Sequence, residues 1–279
     1  MSKPSHHTDN DVSSGQYTHG HHPSVVSMHQ RRTAQDSAAF LLAHLRPGQA
    51  LLDLGCGPGS ITLDLAARVA PGPVLGVDAS ATVIETARAA AAERADCTTR
   101  FAVGDLYALD LPDDSFDIVF AHQVLQHLTD PVAALREMAR VIRPGGLIAV
   151  RDADFATFSW YPAHDGLTRW LALYREVCHA NGAQPDAGRR LPAWARAAGL
   201  TDVQVSTSTW SYHDPSERTA WAHGWAHRVT ESALGDRARE LDLADSDELA
   251  AIADAWHDWA REPDGWFAMI HGEMIARIG

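Results

Sequence analysis

LLDLGCGPGS, Leu51 to Ser60, decides the fold. Four residues read as a buried apolar strand ending at Asp53 and Leu54, and Gly55, Gly57 and Gly59 follow in one tight loop. Glycine accepts positive φ and lets a ligand touch the backbone, so the loop suits close approach. Beyond it Ile61, Leu65 and Val69 recur at i, i+4 and i+8, one buried helical stripe. The unit is strand, glycine loop, helix, and in open α/β sheets a nucleotide-like ligand binds at such a loop.

The glycine spacing separates two ligand classes. A dinucleotide fingerprint reads GxGxxG, whereas Gly55, Gly57 and Gly59 read GxGxG and Ser60 holds the third position. A second strand, Val74 to Val77, ends in Asp78, a carboxylate suited to a ribose diol. A third, Arg100 to Val103, leads into Gly104, Asp105 and Leu106, where an acid and a backbone N–H can read an adenine edge.

Outward from this centre, Ala34, Ala38, Leu41, Leu42 and Leu45 mark one face of a helix predicted over Gln30 to Leu45, which Arg46, Pro47 and Gly48 stop. Thr82 with Glu85 reads as a capping box, with Ile84, Ala87 and Ala91 buried behind it. Phe116 to Phe120 is a fourth strand. Asp130 before Pro131 predicts a capped helix start, with Leu135, Met138 and Ile142 inward until Pro144, Gly145 and Gly146. Leu147 to Val150 is a fifth strand. Val203, Val205, Thr207 and Thr209 alternate as a sixth, and Trp266 to Ile278 supplies a seventh. Residues 211 to 262 are then a helical insertion between the last two.

The composition bounds the function. A chain of 279 residues with 46% hydrophobic content fits one large α/β domain with additions. A net charge of −13 without a basic run would repel a phosphate backbone, which excludes nucleic acid. Cys56, Cys97 and Cys178 are too far apart for a metal set or a disulfide framework. No apolar leader and no stretch of about 18 apolar residues occurs, so a soluble, cytoplasmic protein is expected. Lys3 is the sole lysine and alanine is abundant, as in coding from a high-GC bacterial genome.

All nine tryptophans lie at or beyond Trp160. Most should pack helices onto the sheet, but Trp160 and Trp225 are taken as walls of a pocket for a flat or prenylated molecule.

The motifs LLDLGCGPGS at 51–60, GVDAS at 76–80, GDLYALDLPDDSFDIVF at 104–120, HQVLQHLTDP at 122–131 and RVIRPGG at 140–146 stand in the order of a known family. The chain resembles the class I S-adenosylmethionine-dependent methyltransferases, in the branch of the ubiquinone and menaquinone biosynthesis C-methyltransferases. The first 150 or so residues carry the resemblance. It implies a Rossmann-like, mostly parallel seven-stranded α/β sheet flanked by helices. S-adenosyl-L-methionine is the implied cofactor. Asp53, Gly55 and Gly57 would hold its methionine end, with Cys56 giving backbone contacts only. Asp78 beside Ala79 would take the ribose hydroxyls, and Gly104, Asp105 and Leu106 the adenine. His122 and Gln123 would border the groove near the sulfonium. Gln16 to His22 resembles an N-terminal lid in which Tyr17 approaches the cofactor and His19 and His22 the substrate. No metal is expected, because no Cys or acid accompanies those histidines. Residues 1–29 are read as a flexible lid and 30–279 as the methyltransferase domain, with its core at 45–152 and a substrate cap at about 211–262. The exposed N-terminal helix offers a surface for self-association.

Methyl transfer from a sulfonium is an in-line displacement, in which positioning dominates and a base is optional. His122 and His127 are the catalytic candidates if a base is used. The favoured activity is C-methylation of a hydrophobic small molecule, such as an isoprenoid, a quinone-like compound or an aromatic secondary metabolite. The alternatives are a cofactor-binding protein acting as a cyclisation catalyst or scaffold, and an NAD(P)-dependent oxidoreductase, which Ser60 disfavours.

Overall fold

In a computed structural model, residues 32–279 are described. Strands β1 (Leu51–Leu54), β2 (Val74–Asp78), β3 (Thr99–Val103), β4 (Phe116–His122) and β5 (Ile142–Ala153) form a parallel array in the order β3-β2-β1-β4-β5. β1 is buried along its length because strands and helices enclose it, hence three leucines in four positions, with Asp53 the one polar residue. From β1 the chain winds outward to β2 and β3, then returns to β4 on the other side of β1. The reversal opens a crevice at the carboxyl ends of β1 and β4, where open α/β sheets bind ligands.

The remaining strands are β6 (Ser159–Tyr161), β7 (Asp202–Tyr212) and β8 (Trp266–Arg277). β8 runs antiparallel to β5, β6 and β7, pairing with β5 from Arg277 to His271 and with β6 from Ala268 to Trp266. The sheet therefore has eight strands, not seven, because β6 adds a three-residue strand beyond the end of β5.

Helices α1 (Ala34–Ser37), α2 (Ala39–Leu42) and α3 (Ser60–Val69) cover one face, where Leu41, Leu65, Val69, Ile118 and Phe120 form a core. α4 (Ala81–Glu93) buries Ile84, Ala87 and Ala91. α5 (Pro131–Val141) starts at an Asp130 cap, whose carboxylate accepts from Ala133 N, and packs Leu135 and Met138 on the opposite face. α6 (Asp165–Ala180) and α7 (Leu191–Ala198) follow β6. Between β7 and β8 lie α8 (Pro215–Glu231), α9 (Ala233–Glu240) and α10 (Ser246–Arg261), which with α6 enclose an aromatic core.

Three local expectations are corrected. The predicted helix over Gln30 to Leu45 is, within its described part, two single turns broken at Ala38, whose φ −139° and ψ 19° are not helical. Ser80, not Thr82, caps α4, its hydroxyl accepting from Val83 N at 3.4 Å. α5 ends at Val141, because Ile142 is already extended and opens β5. The alternation over Val203 to Thr209 marks β7, in which Val205 is 56% exposed while the Ser208 hydroxyl accepts from Arg151 and the Trp210 indole donates to the Asp36 carbonyl.

Candidate cofactor and acceptor site

The glycine loop is built by three left-handed residues. Gly55, Gly57 and Gly59 have φ of +67°, +54° and +81°, which side-chain-bearing residues adopt only under strain. A Cβ at Gly55 would collide with Val124, and one at Gly59 with Phe101 and Ala87, so packing fixes these two. Gly57 differs, since among the described residues a Cβ there would meet nothing within 4 Å, which leaves room for a ligand to approach the backbone.

Asp78 steadies this loop. One carboxylate oxygen accepts from Gly57 N and the other from Ser80 N, both at 3.0 Å. Ala79 beside it is exposed. Gly104 N donates to the Asp78 carbonyl at 3.1 Å, and Asp105 accepts from Tyr107 N at 2.9 Å, so the ends of β2 and β3 are tied together with Leu106 buried behind. Asp53 is buried under the loop and accepts from the Thr62 hydroxyl at 2.6 Å. Burial lifts its carboxyl to about 7 against that hydrogen bond, with the Asp78 charge adding to the rise. Burial, then Asp53 and Asp78, raise the Cys56 thiol as well, which keeps it protonated and inert.

These residues fit S-adenosylmethionine. Gly57 leaves open backbone for the methionine end, the Asp53 carboxyl would be charged more readily beside a cation, and Asp78 and Asp105 keep acceptor lone pairs at the two strand ends. Asp78→Ala should weaken S-adenosylhomocysteine binding by roughly 1–3 kcal/mol, through the lost ribose contact and the freed Gly57 N–H. Calorimetry checks this, and unchanged affinity would remove Asp78 from the site.

The end of β4 carries the second group. His122 is buried, its Nε2 lying 2.8 Å from Arg151 Nη1. Since arginine can only donate, His122 Nε2 is an acceptor and is already engaged. Gln123 has φ +55°, a strained value for this residue, and its Nε2 lies 2.8 Å from His271 Nε2. His127 is half-buried in the turn after β4. Desolvation and the Arg32 and Arg228 charges hold its imidazolium well below the usual range. A nitrogen so weakly basic is a poor proton acceptor, which counts against His127 as a base.

Trp225 is 1% exposed and lies edge-on to Trp170 at 4.5 Å, a core position in place of the expected pocket wall. Trp160 is partly buried and stacks on Phe267 at 6.1 Å. Tyr17, His19 and His22 lie outside the described residues. Among the described residues, no helix is long and apolar enough to cross a membrane, and no cluster of His, Cys, Asp or Glu is placed to hold a metal.

Sequence reasoning missed Arg151, Trp210, His271 and Glu273. One signal was available: Arg151 and Asp152 follow directly on the apolar run of a central strand, where charge is rarely tolerated without a purpose.

A methyltransferase-domain family model matches residues 52–150. The chain is 33% identical over 272 residues to an uncharacterised methyltransferase of Schizosaccharomyces pombe, covering 93% of this chain and 95% of that protein. It is equally 33% identical over 281 residues to a protein named a probable methyltransferase in Aspergillus luteorubrus, with 93% and 96% covered. Among solved structures, the YcgJ protein of Bacillus subtilis matches with a TM-score of 0.58 at 20% identity, covering 86% of this chain and 97% of that one, a likeness of fold.

Proposed function

The chain belongs to the class I S-adenosylmethionine-dependent methyltransferases, and from that premise we propose that it methylates a small organic molecule with an apolar body, at carbon in preference to oxygen or nitrogen, in the cytoplasm of a bacterial cell. When bound, S-adenosylmethionine supplies an electrophilic methyl group. The chain's own residues bind, orient and exclude water. Gly57 gives backbone access, and Asp53, Asp78 and Asp105 hold the polar ends.

Among the described residues, the observation that carries the carbon preference is the engagement of the histidine at the end of β4. His122 Nε2 is occupied by Arg151. His127 and His271 are both held well below the ordinary imidazole range, by desolvation first and by neighbouring arginines second. Such surroundings orient an acceptor and take protons poorly. An electron-rich ring or alkene needs orientation alone, whereas an amine or alcohol gains from a base. Trp160, Trp210 and Tyr212, the partly buried aromatics at the edge of the aromatic core, support an apolar acceptor body.

The test is transfer of a radiolabelled methyl group to a panel of prenylated quinols, lipophilic phenols and indoles, with the product's methyl carbon assigned by NMR. A carbon-bound methyl is expected. A methyl found on oxygen or nitrogen would overturn the carbon preference, and labelling of polar acceptors alone would overturn the apolar one.

A further inference from the structure

One polar row crosses four adjacent strands on the face that α1 and α2 flank. His122 on β4 stands opposite Arg151 on β5, Arg151 opposite Glu273 on β8, and Glu273 opposite Ser206 on β7. Arginine here is costly, because its side chain is 1% exposed. Its Nη1 donates to His122 at 2.8 Å, and its Nε donates to the Ser208 hydroxyl at 3.0 Å and lies 3.5 Å from a Glu273 oxygen. Among the described residues its Nη2 has no hydrogen-bond partner. A buried guanidinium with an idle donor needs an explanation, since such groups are nearly always satisfied in folded proteins.

The surroundings indicate what would satisfy it. The Trp210 ring has Arg151 at 4.7 Å and Arg32 at 5.1 Å from its centre. It also contacts His271 at 4.6 Å and His122 at 5.6 Å between ring centres. Two cations, Arg151 and Arg32, thus converge on one indole in a chain whose net charge is −13. The facing acids are Glu273, which also accepts from the Ser206 hydroxyl at 2.7 Å, Asp36, which caps α1, and Glu217 at the start of α8. His271, buried and beside Arg151 and Arg32, is held neutral and adds no positive charge.

We propose that this row is an anion subsite of the acceptor site, in which Arg151 Nη2 donates to a carboxylate of the substrate lying against Trp210. The donor set favours carboxylate over phosphate. Nη2 carries two N–H donors on one nitrogen, enough for a single delocalised charge, whereas a dianion would be repelled more strongly by Glu273, whose carboxylate lies 3.5 Å from Nε of the same guanidinium. The acceptor is then amphipathic, an apolar body with one acidic group that sets its orientation. This rests on the reading of the crevice as the acceptor site of a methyltransferase and narrows the substrate class.

The experiment uses the full chain saturated with S-adenosylhomocysteine, titrated calorimetrically with decanoate, benzoate and succinate and with their uncharged counterparts decanol, benzyl alcohol and dimethyl succinate. At least one carboxylate should bind about tenfold or more tighter than its counterpart, the worth of one charge-assisted hydrogen bond. Arg151→Met should abolish that preference while S-adenosylhomocysteine affinity stays within about twofold, a change too small to reflect a lost contact. Arg151→Met/Glu273→Gln, which leaves no orphaned buried acid, should do the same where the single variant fails to fold. Equal binding of every acid and its counterpart, no binding by any of the three acids, or a preference that survives in the variants overturns the proposal. So does loss of S-adenosylhomocysteine affinity in a folded variant, because Arg151 would then serve the cofactor. Failure of the unmodified protein to bind S-adenosylhomocysteine would strike the methyltransferase reading itself, a distinct outcome.

Discussion

Gly57→Val is expected to lower S-adenosylhomocysteine affinity by at least about two orders of magnitude, roughly 3 kcal/mol, with the fold retained. The two parts of that result have separate causes. A valine forced to φ +54° costs on the order of 1–3 kcal/mol in strain, which a domain of this size tolerates. Among the described residues, a Cβ at this position has open space around it, so packing does not oppose the substitution there. The branched methyls instead fill the volume over the loop that a ligand needs. Calorimetry with the cofactor product, alongside a thermal melt, reads both. A variant that melts normally and still binds would show that the cofactor does not approach the backbone at Gly57.

The second large effect concerns pH. Asp53 is buried, and its carboxyl is pushed from 3.8 to about 7 in the folded chain, first by burial. Between those values the folded state holds a proton that the unfolded state has released, so stability falls as pH rises from about 4 to 7 and is level above. Asp53→Asn, which mimics the protonated acid and can still accept from Thr62, escapes this loss. The variant should gain about 3 kcal/mol relative to the parent between pH 5 and pH 8. Denaturant unfolding at both pH values measures it, and a difference that does not move with pH would refute the assignment. At pH 8 the same variant should bind S-adenosylhomocysteine more weakly, since the ligand's ammonium loses an ionised partner. Greater stability with poorer binding is the pattern of an acid kept for function at the expense of the fold.

Much of the architecture was legible because local chemistry and global topology agree. The run Leu51 to Leu54 is apolar but for Asp53 and lies buried between two strands, and the helical insertion between β7 and β8 follows from Leu249, Ile252, Trp256 and Trp259 at helical spacing. The errors arose where tertiary contacts decide. Trp210 Nε1 donates to the Asp36 carbonyl, 174 residues away, a contact that no local pattern foresees. The break at Ala38 is equally non-local, since Ala34 and Leu41 both stay buried on either side of it. Trp225 resembled a pocket residue in composition, and only the crowding by Trp170, Tyr174 and Trp256 puts it in the core. The row of His122, Arg151 and Glu273 spans some 150 positions of sequence and is assembled solely by strand register.

The placement of β8 bears on how the molecule is made. Because this strand is hydrogen-bonded to three others, a nascent chain halted before Trp266 presents the bare flanks of β5 and β7 to its neighbours, with Arg151 lacking its counter-charge. Open strand flanks invite pairing with other chains. Ribosomes pausing in the stretch between Tyr212 and Trp266 would therefore lengthen the interval of greatest exposure, and chaperone demand during synthesis should centre there.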